Sequence, residues 1–349
     1  MIRLMKNRIV PRYLMVMALS ALAAVFTCAP GLAQKPKKDN LQKPIAGPRA
    51  TALRVTWLYV APDLSSQKVA RVQIGREMVV AERSGPWIRV YANTDVQEQH
   101  DYRDTPIIGD DSAPPPISGW MESRGVVAET TTNGDQVLMG EAANEEALAS
   151  DPRGPAHAAL NARLLYRRLV EMYPNSPLAA EAAWRAADIQ WQLQRADAAS
   201  RPSSKERDPW LREQMDEYEM KNILKFYPRT RQADMAAYAL IDNKLCGDWQ
   251  GQEKCPEKES EIYEKYAEEH ADGPRTASAL YEAVYRQAVL VDMYHADEND
   301  KKADEAKGRA HDITGRLSSK FPQSDYATRA AALVFKLDQG IPVYGIDRP

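Results

Sequence analysis

One phrase recurs along the second half of this 349-residue chain and limits what it can fold into. A helical stretch runs into an aromatic residue and a proline, and an alanine-rich helical stretch follows. The clearest copies are Leu164-Leu-Tyr-Arg-Arg-Leu-Val-Glu-Met-Tyr-Pro-Asn-Ser176 and Ile313-Thr-Gly-Arg-Leu-Ser-Ser-Lys-Phe-Pro-Gln-Ser324. Tyr227-Pro228-Arg229-Thr230 repeats the break, and His270-Ala271-Asp272-Gly273 is a degenerate fourth copy. Proline stops a helix because it has no N–H for the next hydrogen bond. Asn175, Thr230 and Ser324 stand where the next helix needs an N-cap acceptor.

The helical faces follow from spacing. Ala158, Ala162, Leu165, Leu169 and Met172 fall on one side of a helix, as do Ala180, Trp184, Ala187 and Trp191, and then Ala277, Tyr281, Val284, Ala288 and Val291. Small alanines let helices approach, and rings fill the gaps. The expected result for residues 155–340 is a stack of antiparallel helix pairs, with a tail at 341–349. The breaks at Pro174, Pro228, Ala271 and Pro322 are 54, 43 and 51 residues apart. A strict tetratricopeptide array repeats every ~34 residues, so polar decorations are expected near 199–208, 246–255 and 295–304. The phrase resembles the tetratricopeptide-like modules of envelope-assembly proteins, including the TolA-binding coordinator family and outer-membrane assembly lipoproteins. That resemblance implies a helical solenoid whose groove holds a protein partner.

Residues 50–128 have a different period. Leu53 and Val55 alternate with Arg54 and Thr56; Ala70, Val72 and Ile74 alternate with Arg71 and Gln73. Trp87, Arg89 and Tyr91 share one face of a strand, and Ile88 and Val90 the other. Turns fall at Ala61-Pro62-Asp63, Ile74-Gly75-Arg76 and Ser84-Gly85-Pro86. Such short strands predict a small curled antiparallel barrel. Leu53-Arg54-Val55, Ala61-Pro62-Asp63, Val69 to Gly75, Gly85-Pro86-Trp87-Ile88-Arg89-Val90 and Gly119-Trp120-Met121 together resemble the bacterial SH3 (SH3b) family over about 75 residues. Two features depart from that family: Thr56-Trp57-Leu58-Tyr59 in the first strand region, and a polar insert near 93–118. The fold class expected is therefore multidomain, an SH3-like barrel followed by a tetratricopeptide-like solenoid, joined by a linker over 129–154.

Arg3, Lys6, Arg8 and Arg12 precede an apolar run from Tyr13 to Phe26 and then Gly31-Leu-Ala33. The run is shorter than the ~20 residues that span a bilayer. Residues 1–33 read as a signal peptide cleaved between Ala33 and Gln34, with an uncleaved anchor as the alternative. Residues 34–49, rich in lysine and proline, read as a flexible leader. Val25-Phe-Thr-Cys28 meets a lipoprotein motif only in part, so membrane attachment is expected only if Cys28 carries lipid. Cleavage takes the net charge from −3 to −7. A mildly acidic chain argues against nucleic acid as its partner.

Cys246 and Cys255 remain after cleavage. In an oxidising compartment they can pair and close a loop worth roughly 2–3 kcal/mol; the alternative is two free thiols. No metal ligand set or cofactor motif stands out. Asp297-Glu-Asn-Asp300 has the charge of a calcium loop but not its glycine or final glutamate. No histidine lies close in sequence to these thiols; His270 is the nearest to Cys255, and a thiol peptidase would need such a base at hydrogen-bond distance. The aromatic residues Trp57, Tyr59, Trp87, Tyr91 and Trp120, with Arg54 and Arg89 beside them, have two readings: barrel core, or a ligand face for peptide or sugar. Trp87, Tyr91, Arg89, Trp57 and Tyr59 are the candidate ligand contacts. The function expected is an exported, non-enzymatic scaffold of the cell envelope that contacts peptidoglycan or peptide through the barrel and a protein through the repeats. A cell-wall hydrolase and a lipid-anchored assembly factor are the alternatives.

Overall fold

The computed structural model of the chain describes residues 46–95 and 117–344. The signal peptide with its Ala33–Gln34 junction, Cys28, most of the leader, insert residues 96–116 and tail residues 345–349 lie outside the described residues.

Seven antiparallel strands come first: β1 (Arg49–Ala52), β2 (Thr56–Tyr59), β3 (Lys68–Val72), β4 (Glu77–Ser84), β5 (Trp87–Ala92), β6 (Ile117–Glu122) and β7 (Val126–Ala128). They form one sheet in the order β3-β2-β6-β5-β4-β1-β7. The alternation read in β5 holds. Ile88, Val90 and Ala92 are buried and Trp87, Arg89 and Tyr91 are half-buried. The inward residues of six strands, from Ala50 on β1 and Leu58 on β2 to Met121 on β6, make one apolar cluster. The sheet thus curls over its own core. The strand expected through Leu53 and Val55 is not there. Residues 53–55 bend between β1 and β2, and Val55 is exposed. Alternation over four residues cannot tell a strand from the corner that joins two strands.

Nine helices follow among the described residues: α1 (Gly134–Ser150), α2 (Ala158–Met172), α3 (Ala179–Ser200), α4 (Tyr218–Phe226), α5 (Arg231–Ala239), α6 (Lys254–Glu269), α7 (Thr276–Ala296), α8 (Asp300–Lys320) and α9 (Asp325–Asp338). Most helices adjacent in sequence pack on one another. The stretch expected as a linker contains the 17-residue α1. Its buried positions are Gly134, Leu138, Ala142 and Glu145. A face made of small residues, one leucine and one acid gives little periodic signal.

The four breaks share one geometry. Tyr173, Tyr227, His270 and Phe321 close α2, α4, α6 and α8 with φ from −129° to −122° and ψ from 49° to 58°. Each donates its N–H to the carbonyl four residues back, at 2.8–2.9 Å. The degenerate His270 copy is therefore a full member of the set. Thr230 caps α5 by accepting from Ala233 N, and Ser324 caps α9 by accepting from Tyr326 N. Asn175 does not cap α3. Ser176 Oγ accepts from Leu178 N instead, and it donates to Asp135 at 2.6 Å.

Helix α2 is buried on several sides at once, at Ala162, Arg163, Leu164, Leu165, Tyr166, Arg168 and Leu169 among others. The sheet covers one side, and α1 and α3 cover others. Burying a leucine such as Leu169 contributes roughly 2 kcal/mol. Gly75 turns β3 into β4 with φ +76°, against α2. A Cβ there would lie 2.6 Å from Leu164 Cβ, so only glycine permits both the left-handed turn and the contact.

Candidate functional site

Three places carry chemistry: the seam between sheet and helices, the outer face of the sheet, and a groove on the helices.

At the seam, Arg168 of α2 is fully buried and reaches Glu77 of β4, with Nη1 donating to Oε2 at 2.6 Å. The same nitrogen lies 2.7 Å from Glu171 Oε2. Arg49 of β1 joins both carboxylates: its Nε donates to Glu77 at 2.8 Å and its Nη2 to Glu171 at 3.1 Å. Thr94 Oγ1 donates to the other Glu77 oxygen at 2.7 Å. Asp95, also buried, sits 3.4 Å from Arg76 and 3.7 Å from Arg168. Burial pushes the Glu77 carboxyl up. Arg168, Arg49 and Thr94 outweigh that and hold it below the usual carboxylate range. Nearby, Tyr173 OH donates to Ala128 O at 2.5 Å and ties the end of α2 to the last strand. This network links strands and helix through buried and part-buried charges.

The outer face of the sheet is open. In cross-strand register, Tyr59 of β2 stands opposite Trp120 of β6, Trp120 opposite Arg89 of β5, and Arg89 opposite Glu82 of β4. Arg89 lies 3.6 Å from Glu82, with both side chains about half exposed. The Tyr59 and Trp87 rings meet edge to face, 5.7 Å between centroids. Trp57, next along β2, carries Lys68 Nζ 4.9 Å and Arg71 4.6 Å from its ring centre. Tyr91 lies on the same strand face as Arg89. All five candidate residues thus fall on one face. None joins the apolar cluster under the sheet. Tyr59 is buried beneath its ring neighbours, and the other four are half-buried. Aromatic rings beside cations present flat apolar surface with polar edges, a chemistry suited to peptide or sugar rings.

On the helices, a groove of about 860 Å³ runs along α3 and α5 to the start of α7. Trp184 and Trp191 form part of its wall, and Arg185, Arg195, Arg231 and Arg275 line it. Trp191 Nε1 donates to Asp242 at 3.2 Å. Asp188, in the same groove, has its carboxyl pushed up by burial.

Cys246 and Cys255 are joined in a disulfide, with Cα atoms 6.1 Å apart. The sulfur of Cys255 is therefore no nucleophile in this state, and His270 is engaged with Asp234 at 2.8 Å. Among the described residues, no three His, Cys, Asp or Glu side chains are placed to share a metal ion. No helix among them is long and apolar enough to cross a membrane.

Sequence reading missed the seam. Its signal was available: Arg168 lies three and four residues from Leu165, Leu164 and Met172, on an apolar helix face, where a charge needs a buried partner. Position 77 gave no such hint. No protein-family model matches this chain, and no curated protein sequence matches it.

Proposed function

We propose that this chain is an exported, non-enzymatic binding protein of the cell envelope. Its sheet acts as an SH3b-like module that contacts peptidoglycan or peptide. Its helical hairpins act as tetratricopeptide-like repeats that hold a protein partner. The observation that carries this reading is the row of half-exposed rings and cations on the outer face of the sheet. Trp57, Trp87 and Tyr91 are left there partly exposed, while aliphatic and methionine side chains fill the core beneath.

Three further features support it. The four matching breaks make the helices a repeated unit, the kind of array that offers extended grooves to macromolecules. The disulfide suits an oxidising compartment. The seam holds the sheet against the helices, so one attachment raises the effective concentration of the other. The hydrolase alternative loses its thiol, since Cys255 is bonded to Cys246.

The test is enrichment. Purified full-length chain is incubated with cell-wall sacculi and, separately, with envelope extract. Co-sedimentation with sacculi and specific capture of a protein are expected. Failure of both defeats the proposal.

A further inference from the structure

Trp210 is 73 % exposed, the most open of the large apolar side chains among the described residues. It belongs to no helix of the repeat. It sits on a single 3₁₀ turn, Pro209–Leu211, within the polar stretch that separates α3 from α4. Such a residue on a loose loop would fold back onto the protein. Here the loop is braced. Gly247 N donates to Glu206 O at 3.1 Å, Arg212 Nη1 donates to Leu245 O at 2.7 Å, and Arg207 pairs with Gln252. Asn243 exchanges two hydrogen bonds with the Met215 backbone, at 3.0 and 2.9 Å. A Cβ on Gly247 would come within 2.5 Å of both Ser204 O and Glu206 O, so the two loops touch only because that residue is glycine. The second loop is the one that Cys246–Cys255 closes. Two loops outside the repeat thus hold one tryptophan in the open.

Trp210 edges a groove of about 930 Å³ between α4, α5 and α6. Leu224, Leu240, Ile241 and Ile262 give that groove an apolar lining. Lys244, Lys258 and Lys265 stand exposed around it, and Glu269 beside Lys265 is the acid among its lining residues. An apolar channel with a preset aromatic anchor and a basic rim matches a helix that carries one apolar stripe flanked by carboxylates.

We infer that Trp210 and this groove form a docking site for an acidic amphipathic helix of a partner protein. The inference rests on the reading of the helical hairpins as a protein-binding scaffold and names the chemistry of the partner. The loop backbone that carries the anchor is already braced by these hydrogen bonds, so little loop ordering is needed on this side.

The test uses the full-length chain as target for a displayed library of random peptides, with the Trp210→Ala chain as the counter-target. Peptides that need Trp210 are expected to carry apolar residues at i, i+3 or i+4, and i+7, with Asp and Glu between them. Their affinity should fall by about 30-fold in Trp210→Ala, as for an interface hot spot, and by about tenfold in a Lys258→Glu, Lys265→Glu double variant. Circular dichroism should show both variants folded. The inference fails if no peptide depends on Trp210, or if those that do are basic or proline-rich. It also fails if sedimentation shows a dimer that Trp210→Ala dissociates, for then the occupant is a second copy. Undiminished capture of an envelope protein by the Trp210→Ala chain would sink this inference and leave the scaffold reading standing. Loss of all capture by the unaltered chain would sink both.

Discussion

Strand β4 carries one ion pair at the seam and another on the outer face, and the two differ in kind. At the seam, Glu77 meets Arg168 at 2.6 Å with both side chains almost fully buried. On the outer face, Glu82 meets Arg89 at 3.6 Å with both about half exposed. Water screens the second pair, which is worth little and can be exchanged for a ligand at small cost. The first has no water to fall back on. Losing either partner would strand a charge in the interior. The seam is therefore committed to holding sheet and helices together, while the outer face keeps its polar and aromatic groups available.

Breaking the seam should have the largest effect. Arg168→Ala leaves Glu77 buried beside one arginine fewer, and the cost expected is about 3–5 kcal/mol. Arg89→Ala should cost less than about 1 kcal/mol. Urea unfolding of the two variants checks the contrast. Equal losses would mean that the two pairs do the same job.

Acid should weaken the seam. The Glu77 carboxyl is held below its ordinary range in the folded chain. The stability it contributes is present above the unfolded carboxylate value of about 4.3 and is lost as pH falls through the lower folded value. Thermal melts from pH 6 down to 2 should show that loss. A Glu77→Gln chain, already without the charge, should show a shallower fall.

The helix caps give a smaller contrast. Thr230→Ala removes the Oγ1 that accepts from Ala233 N, and about 1 kcal/mol is expected. Asn175→Ala, one residue short of the place that Thr230 holds in its own break, should change almost nothing. Ser176→Ala should behave like Thr230→Ala, because Ser176 Oγ bonds both Leu178 N and Asp135.

The same contrast explains what could be read from the amino acids alone. A ring-bearing residue followed by proline, or by alanine in the His270 copy, marks the ends of α2, α4, α6 and α8, so those four breaks were legible. Alternation in β5 was legible because the strand buries one face and not the other. The corner at 53–55 was not, since a bend between two short strands keeps the same alternation. Helix α1 was hidden by a buried face of glycine, alanine and glutamate. Trp57, Tyr59, Trp87 and Tyr91 stand out because aromatic side chains are rare, and Arg89 because it alternates with Trp87 and Tyr91 along one strand. Whether they lay above or below the sheet depended on register, which is set between strands. Glu77 and Arg168 are 91 residues apart, and no local pattern links them. Trp210 carried no periodic signal because its loop follows no repeat.

Sacculus binding by a Trp87→Ala, Tyr91→Ala double variant tests the central claim most directly. Both side chains lie on the open face and outside the core, so the variant should melt within a few degrees of the unaltered chain. Its apparent affinity for sacculi should fall by about tenfold or more, as expected when stacking rings are removed. Unchanged binding by a folded double variant would contradict the account and show that the aromatic face is not what meets the wall.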